Sequence, residues 1–164
     1  MELKKSDIPE ELREKNQWVC WTMQKRNERQ TKIPIDAKTG KYASATDPST
    51  WTTYDEAVCA SDNYSGIGFV LSADDPFVGI DLDHVRDKNS GEIDSDSKDI
   101  ISRLNSYTEI SQSGEGAHVM VRGEIEASKR NKIVECYDKD RFFVMTGNHL
   151  RGTPSSIQDR RETL

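Results

Sequence analysis

Phe77-Val78-Gly79-Ile80-Asp81-Leu82-Asp83 alternates apolar residues with acids inside an otherwise apolar segment. Successive side chains of a strand point to opposite faces, so Val78, Ile80 and Leu82 enter the core while Asp81 and Asp83 emerge together opposite them. Two carboxylates held so close repel unless a cation or a proton separates them. The acidic chain offers the same spacing at Asp94/Asp96 and Asp138/Asp140, but those pairs lie in polar surroundings and read as solvated loops. Only Asp81/Asp83 interrupts an apolar strand. The pattern points to a metal site, and on spacing alone a strand end fraying into solvent is the competing reading. Glu135 repeats the logic in Ile133-Val134-Glu135-Cys136-Tyr137. By itself it reads as an edge-strand surface residue; beside the pair it supplies a third ligand. Mg²⁺ or Mn²⁺ ions bridged by such oxygen donors are the usual clamp for phosphoryl and nucleotidyl transfer.

Working outward, 68–72 and 77–83 read as two strands joined by the turn Ala73-Asp74-Asp75-Pro76. A polar loop spans 86–97, and 98–104 shows helical periodicity through Ile100, Ile101 and Leu104. Strands at 107–111 and 118–122 flank the turn Gln112-Ser113-Gly114-Glu115-Gly116, and 133–137 with 141–146 read as a further strand pair. Towards the N-terminus come a capped short helix at 6–13, a strand at 17–23, an extended piece at 31–36, a turn or helix entry at 47–51 and a helix at 54–60. Strands and hairpins with a helix between them predict an α+β domain.

The 164 residues make about one domain, and the 34% of hydrophobic residues are enough for a core. No apolar run approaches the roughly 20 residues of a membrane span, and the N-terminus lacks a signal-peptide stretch. A cytoplasmic protein without membrane contact is expected. Cys20, Cys59 and Cys136 are scattered, with no Cys/His spacing for zinc, and read as reduced thiols. The net charge of −6 argues against holding nucleic acid by overall charge alone. A local basic strip is still on offer at Lys25-Arg26-Asn27-Glu28-Arg29, Lys129-Arg130-Asn131-Lys132 and Arg160-Arg161, each of which also reads as plain solvated surface.

In Ser111-Gln112-Ser113-Gly114-Glu115-Gly116-Ala117-His118, glycines and small residues let backbone N–H groups approach an anion. His118 then opens the next strand, where its imidazole is placed to bond a phosphate oxygen. An ordinary hairpin turn followed by an ordinary histidine fits the same residues. His84 and His149 are not counted as ligands.

These pieces, in this order, resemble the archaeo-eukaryotic primase superfamily, in particular the prim-pol domains of phages, archaeal plasmids and other mobile genetic elements. That superfamily is marked by an hhhDhD/E strand, an s-x-H strand start and a later hD/hE strand. They correspond here to Val78-Gly79-Ile80-Asp81-Leu82-Asp83, Gly116-Ala117-His118 and Val134-Glu135, the last with Glu for Asp. Gln17-Trp18-Val19-Cys20-Trp21, Thr31-Lys32-Ile33-Pro34, Ser106-Tyr107-Thr108-Glu109-Ile110-Ser111 and Arg141-Phe142-Phe143-Val144-Met145-Thr146-Gly147 extend the likeness over about 16–155.

The resemblance implies an N-terminal αβ unit (about 1–65) packed on a sheet like an RNA-recognition motif (about 66–155), with the active site in the cleft between them. Residues 156–164 would begin a linker to regions of a longer replication protein, a helicase among them. It implies a DNA primase-polymerase that extends a primer on a DNA template with dNTPs or NTPs. Asp81, Asp83 and Glu135 would hold two Mg²⁺ or Mn²⁺ ions, and His118 would contact the triphosphate. Lys32 and Arg141 look like further phosphate contacts, with Ser111, Ser113 and Gly114 lining the nucleotide pocket. Zinc is not expected. A metal-dependent nuclease, a nucleotide-sugar transferase and a non-catalytic single-strand-binding module are the alternatives. The last usually shows paired exposed aromatics on neighbouring strands.

Overall fold

Strand-forming runs rich in Val, Ile, Trp and Phe dominate the protein, whose structure is a computed structural model describing residues 7–126, 129–130 and 134–161. Ser6 of the N-terminal cap, Asn131, Lys132 and Ile133, and Glu162-Thr163-Leu164 lie outside the described residues, as do the side chains of Lys129 and Arg130. The elements in order are α1 (Glu10–Arg13), β1 (Trp18–Arg26), β2 (Arg29–Ile35), α2 (Tyr54–Ala60), β3 (Gly66–Leu71), β4 (Phe77–Leu82), α3 (Ser95–Leu104), β5 (Thr108–Ile110), β6 (Ala117–Arg122), β7 (Lys129–Arg130), β8 (Val134–Tyr137), β9 (Arg141–Met145) and β10 (Gln158–Asp159). The class is α+β, as expected.

The strands form two sheets. One has the order β2-β1-β3-β9 and is antiparallel throughout. The other has the order β10-β6-β4-β8-β7, with β5 beside β10 along the outer edge of β6. It is antiparallel except for the short β10, which runs parallel to β6. The first sheet takes β3 and β9 from beyond residue 66 to complete β1 and β2. Within 156–164, Ile157 is buried and 158–159 pair with β6.

Alternation along β4 divides its side chains between two layers. Val78, Ile80 and Leu82 pack with Ile101 and Leu104 of α3 and with Ala117, Val119 and Val121 of β6. Phe77 faces the other sheet, in a core that also holds Trp18, Phe69, Met120 and Phe143. Trp18, Tyr54, Phe69 and Phe77 meet edge to face there, with ring centroids 5.1–5.9 Å apart. Trp18 donates its indole N–H to the Leu12 carbonyl at 2.9 Å, so no polar group is stranded beneath the ring.

Three expectations need correction. The strands at 134–137 and 141–145 are not partners: β8 pairs with β4 and β9 pairs with β3, so the chain crosses between sheets through 138–140. Asp140 takes the left-handed conformation at that crossing, with φ of 57°. The loop read over 86–97 also ends early, because Asp94 caps α3 by accepting from the Ser97 N–H at 2.8 Å. Asp94 and Asp96 are thus a helix cap and a first-turn acid rather than loop residues. Finally, Arg160 of the basic pair closes the other end of α3, donating to the carbonyls of Leu104 at 2.6 Å and Asn105 at 3.1 Å.

Gly79 lets the two sheets meet. A Cβ there would lie 2.6 Å from the Phe143 ring, well inside van der Waals contact, so the ring of β9 rests on bare backbone of β4. A strand glycine replaced by alanine ordinarily gains stability. Here Gly79→Ala should lose about 1–3 kcal/mol through overpacking. Urea denaturation checks the sign; an unchanged or raised midpoint would contradict this packing.

Candidate active site

Pairing register brings the acids together. Asp81 in the middle of its sheet lies directly opposite His118 of β6 on one side and Glu135 of β8 on the other. His118 in turn lies opposite Glu109 of β5. Directly opposed residues share a face, so Glu109, His118, Asp81 and Glu135 form one row across four strands. This face is turned towards the first sheet. A cavity of about 220 Å³ lies between the sheets, lined by Asp81, His118, Glu135 and Tyr137 from one and by Lys32, Arg141, Phe142, Phe143 and Val144 from the other.

The row grades from buried to open. Glu109 is fully enclosed, the His118 side chain is 7% exposed and that of Asp81 is 26% exposed. His118 Nδ1 lies 3.0 Å from Glu109 Oε1, and its Nε2 lies 3.7 Å from Asp81 Oδ1. Burial alone would pull the imidazole below its ordinary pKa. The hydrogen bond and charge of Glu109, with the charge of Asp81, outweigh it and hold the ring above that value. Glu135 accepts a 2.7 Å hydrogen bond from the Tyr137 hydroxyl. The Arg141 guanidinium sits 4.4 Å over the Tyr137 ring, a cation–π contact that holds its charge at the cavity mouth. Lys32 is held less closely, 5.7 Å over the ring of Trp21.

Of the residues singled out in the sequence, Asp81, His118, Glu135, Lys32 and Arg141 meet at this cavity. Asp83 follows the last residue of β4, half-buried and outside the lining. Ser111, Ser113 and Gly114 also lie outside it, in the turn between β5 and β6. That turn is internally bonded: the Ser111 and Ser113 hydroxyls are 3.2 Å apart, and Ser111 Oγ accepts from the Gly116 N–H at 3.0 Å. Gly114, at φ of 82°, bends the chain there and accepts from Arg86 at 2.7 Å. Its Glu115 carbonyl takes the N–H groups of Val85 and Arg86, anchoring the turn beside the chain that leaves Asp83. His149 bonds Thr153 and the Pro154 carbonyl away from the cavity.

Glu109, Tyr137 and Gly79 join the site or its support without having stood out in the sequence. The signal for Glu109 was present, since an acid inside Tyr107-Thr108-Glu109-Ile110 is the same anomaly as Glu135. Phe142 and Phe143 are both packed, Phe143 in the main core and Phe142 against Trp51 and Val70. They offer no exposed aromatic pair for stacking bases.

The donor chemistry fits a hard divalent ion. Asp81, Asp83 and Glu135 offer only carboxylate oxygens, and Asp81 carries the mark of an unbalanced acid. Its pKa is raised chiefly by burial; the charges of Asp83 and Glu135 push the same way, and those of His118 and Lys32 only partly offset them. Among the described residues no three His, Cys, Asp or Glu side chains are already drawn together as a ligand set.

No protein-family model matches the chain. A DNA primase-polymerase of Nitratiruptor phage NrS-1 is 41% identical over 145 residues, 83% of this chain. The chain is thus similar to a segment of a phage primase-polymerase. It spans 20% of that primase-polymerase's length. No helix among the described residues is long and apolar enough to cross a membrane.

The raised Asp81 pKa has a testable sign. The folded protein binds this proton more tightly than the unfolded chain, so stability is lost as pH rises through the ordinary carboxylate range, about 4, towards the folded value. Asp81→Asn removes that penalty. Without divalent ions the variant should be more stable than wild type at pH 7. The gain should vanish at pH 3; chemical denaturation at both values checks it, and equal stabilities at pH 7 would contradict it.

Proposed function

We propose that this domain performs template-directed nucleotidyl transfer, acting as the catalytic part of a DNA primase-polymerase. A primer 3′-hydroxyl would attack the α-phosphate of a bound dNTP or NTP and release pyrophosphate, in the cleft between the two sheets. The sheet bearing Asp81 is read as the unit like an RNA-recognition motif. The observation that carries the reading is the row His118-Asp81-Glu135 opening on a cavity flanked by Lys32 and Arg141. Acids for metal ions and cations for a triphosphate are thereby set against one another across a single space.

Asp81, Asp83 and Glu135 are the ligands in this reading, and two Mg²⁺ or Mn²⁺ ions bound there would supply charge neutralisation at the attacking and leaving oxygens. His118 donates to the triphosphate, and Lys32 and Arg141 neutralise its charge. The turn carrying Ser111, Ser113 and Gly114 borders the nucleotide from the β5–β6 side. The chain's part in the reaction is then positioning and fixed charge. In a longer parent protein, a helicase region would supply the single-stranded template.

Extension of a labelled primer on a DNA template, with either nucleotide set and either ion, tests the proposal. Wild type should extend the primer and Asp81→Ala/Asp83→Ala should not, with the fold retained. His118→Ala should raise the nucleotide KM roughly ten- to hundredfold, as expected for losing a charge-assisted hydrogen bond. Degradation of the strand would assign the site to a nuclease instead, and an unchanged KM would remove His118 from the triphosphate.

A further inference from the structure

Glu109 is the one residue of the row that the proposed reaction does not use, and it is the most completely bonded. Each of its carboxylate oxygens receives two hydrogen bonds. Oε1 accepts from the Thr146 N–H at 2.9 Å and lies 3.0 Å from His118 Nδ1. Oε2 accepts from the Gly147 N–H at 2.9 Å and from the Tyr107 hydroxyl at 2.8 Å. The backbone amides can only donate, so both oxygens are acceptors, and with Glu109 as a carboxylate Nδ1 carries the proton it shares with Oε1. Nε2 is then the ring nitrogen left to face Asp81 and the cavity. Phe143 fixes the remaining freedom of the imidazole by an edge-to-face contact, with centroids 5.4 Å apart and planes at 81°.

The geometry points to Glu109 as a positioning residue: its carboxylate orients the His118 ring so that Nε2 is presented to the incoming nucleotide. The inference rests on the role proposed above for His118. It explains why a carboxylate is kept at a position with no solvent contact, where an apolar strand residue would fill the space without needing four donors. The amides of Thr146 and Gly147 come from the end of β9, so the same side chain also ties the first sheet to β5 behind the cavity. Orientation and support differ in what they predict. A group acting through His118 loses its effect once His118 is gone, whereas a purely structural tie does not.

A double-mutant cycle with Glu109→Gln and His118→Ala in the primer-extension assay separates them. Glu109→Gln should raise the nucleotide KM about tenfold with kcat changed far less, a size typical of losing the partner that orients a ligating histidine. In the His118→Ala background the same substitution should add nothing. An equal rise in both backgrounds would overturn the positioning role. Proton–nitrogen NMR of histidine-labelled protein needs no catalysis and separates this inference from the polymerase reading. His118 should show a downfield, slowly exchanging Nδ1–H signal in the wild type that moves upfield in Glu109→Gln. A wild type that extends no primer yet shows this signal would cost the reaction and keep the orientation; absence of the signal in folded wild type would overturn the orientation itself.

Discussion

The register of β4 between β6 and β8 is the constraint from which the rest of the site follows. Slipping a strand by one residue turns every side chain to the other face. Such a slip would bury Asp81 among Ile101, Leu104 and Val119 and turn Ile80 into the cavity. The apolar set Val78, Ile80 and Leu82 is therefore as much a determinant of the site as the acids between them. Helix α3 enforces it from behind, closed at its ends by Asp94 and Arg160. In front, Phe143 on Gly79 sets how near the sheet bearing Lys32 and Arg141 can come.

The site pays in stability for what it gains in chemistry. Burial and neighbouring acids leave Asp81 in a state that resists ionisation. The opposing charges are distributed with some economy: Tyr137 holds Glu135 by its hydroxyl and Arg141 by its ring. Within an overall charge of −6, two cations still reach the cavity, Lys32 from the β1–β2 hairpin and Arg141 from β9. Lys25, Arg26, Arg29 and Lys32 all lie in that hairpin's strands.

How much was legible depended on the range of the interaction. Strand β4 could be read because its period of two is local, and α2 because Thr53 caps it next to its own sequence. The sheet assignment of β8 and β9 could not. Two strands separated by a short turn look like a hairpin, whereas β8 pairs with β4 and β9 with β3, partners distant in the sequence. The first turn of α3 was hidden because Ser95-Asp96-Ser97 is as polar as a loop. Glu109 carried the same local anomaly as Glu135, but its partners Thr146 and Gly147, 37 and 38 positions away in the chain, left no local sign. Asp81 and Glu135 stood out as acids in apolar strands and His118 as the residue after a glycine turn, but their alignment in one row is a property of pairing.

If this row and the cations facing it bind metal and triphosphate together, a crystal soaked with Mn²⁺ and a non-hydrolysable dNTP will show it by anomalous scattering. Mn²⁺ peaks are expected at the carboxylates of Asp81, Asp83 and Glu135, with the triphosphate against His118, Lys32 and Arg141. A nucleotide bound elsewhere, or Mn²⁺ absent from these carboxylates at saturating concentration, would contradict it.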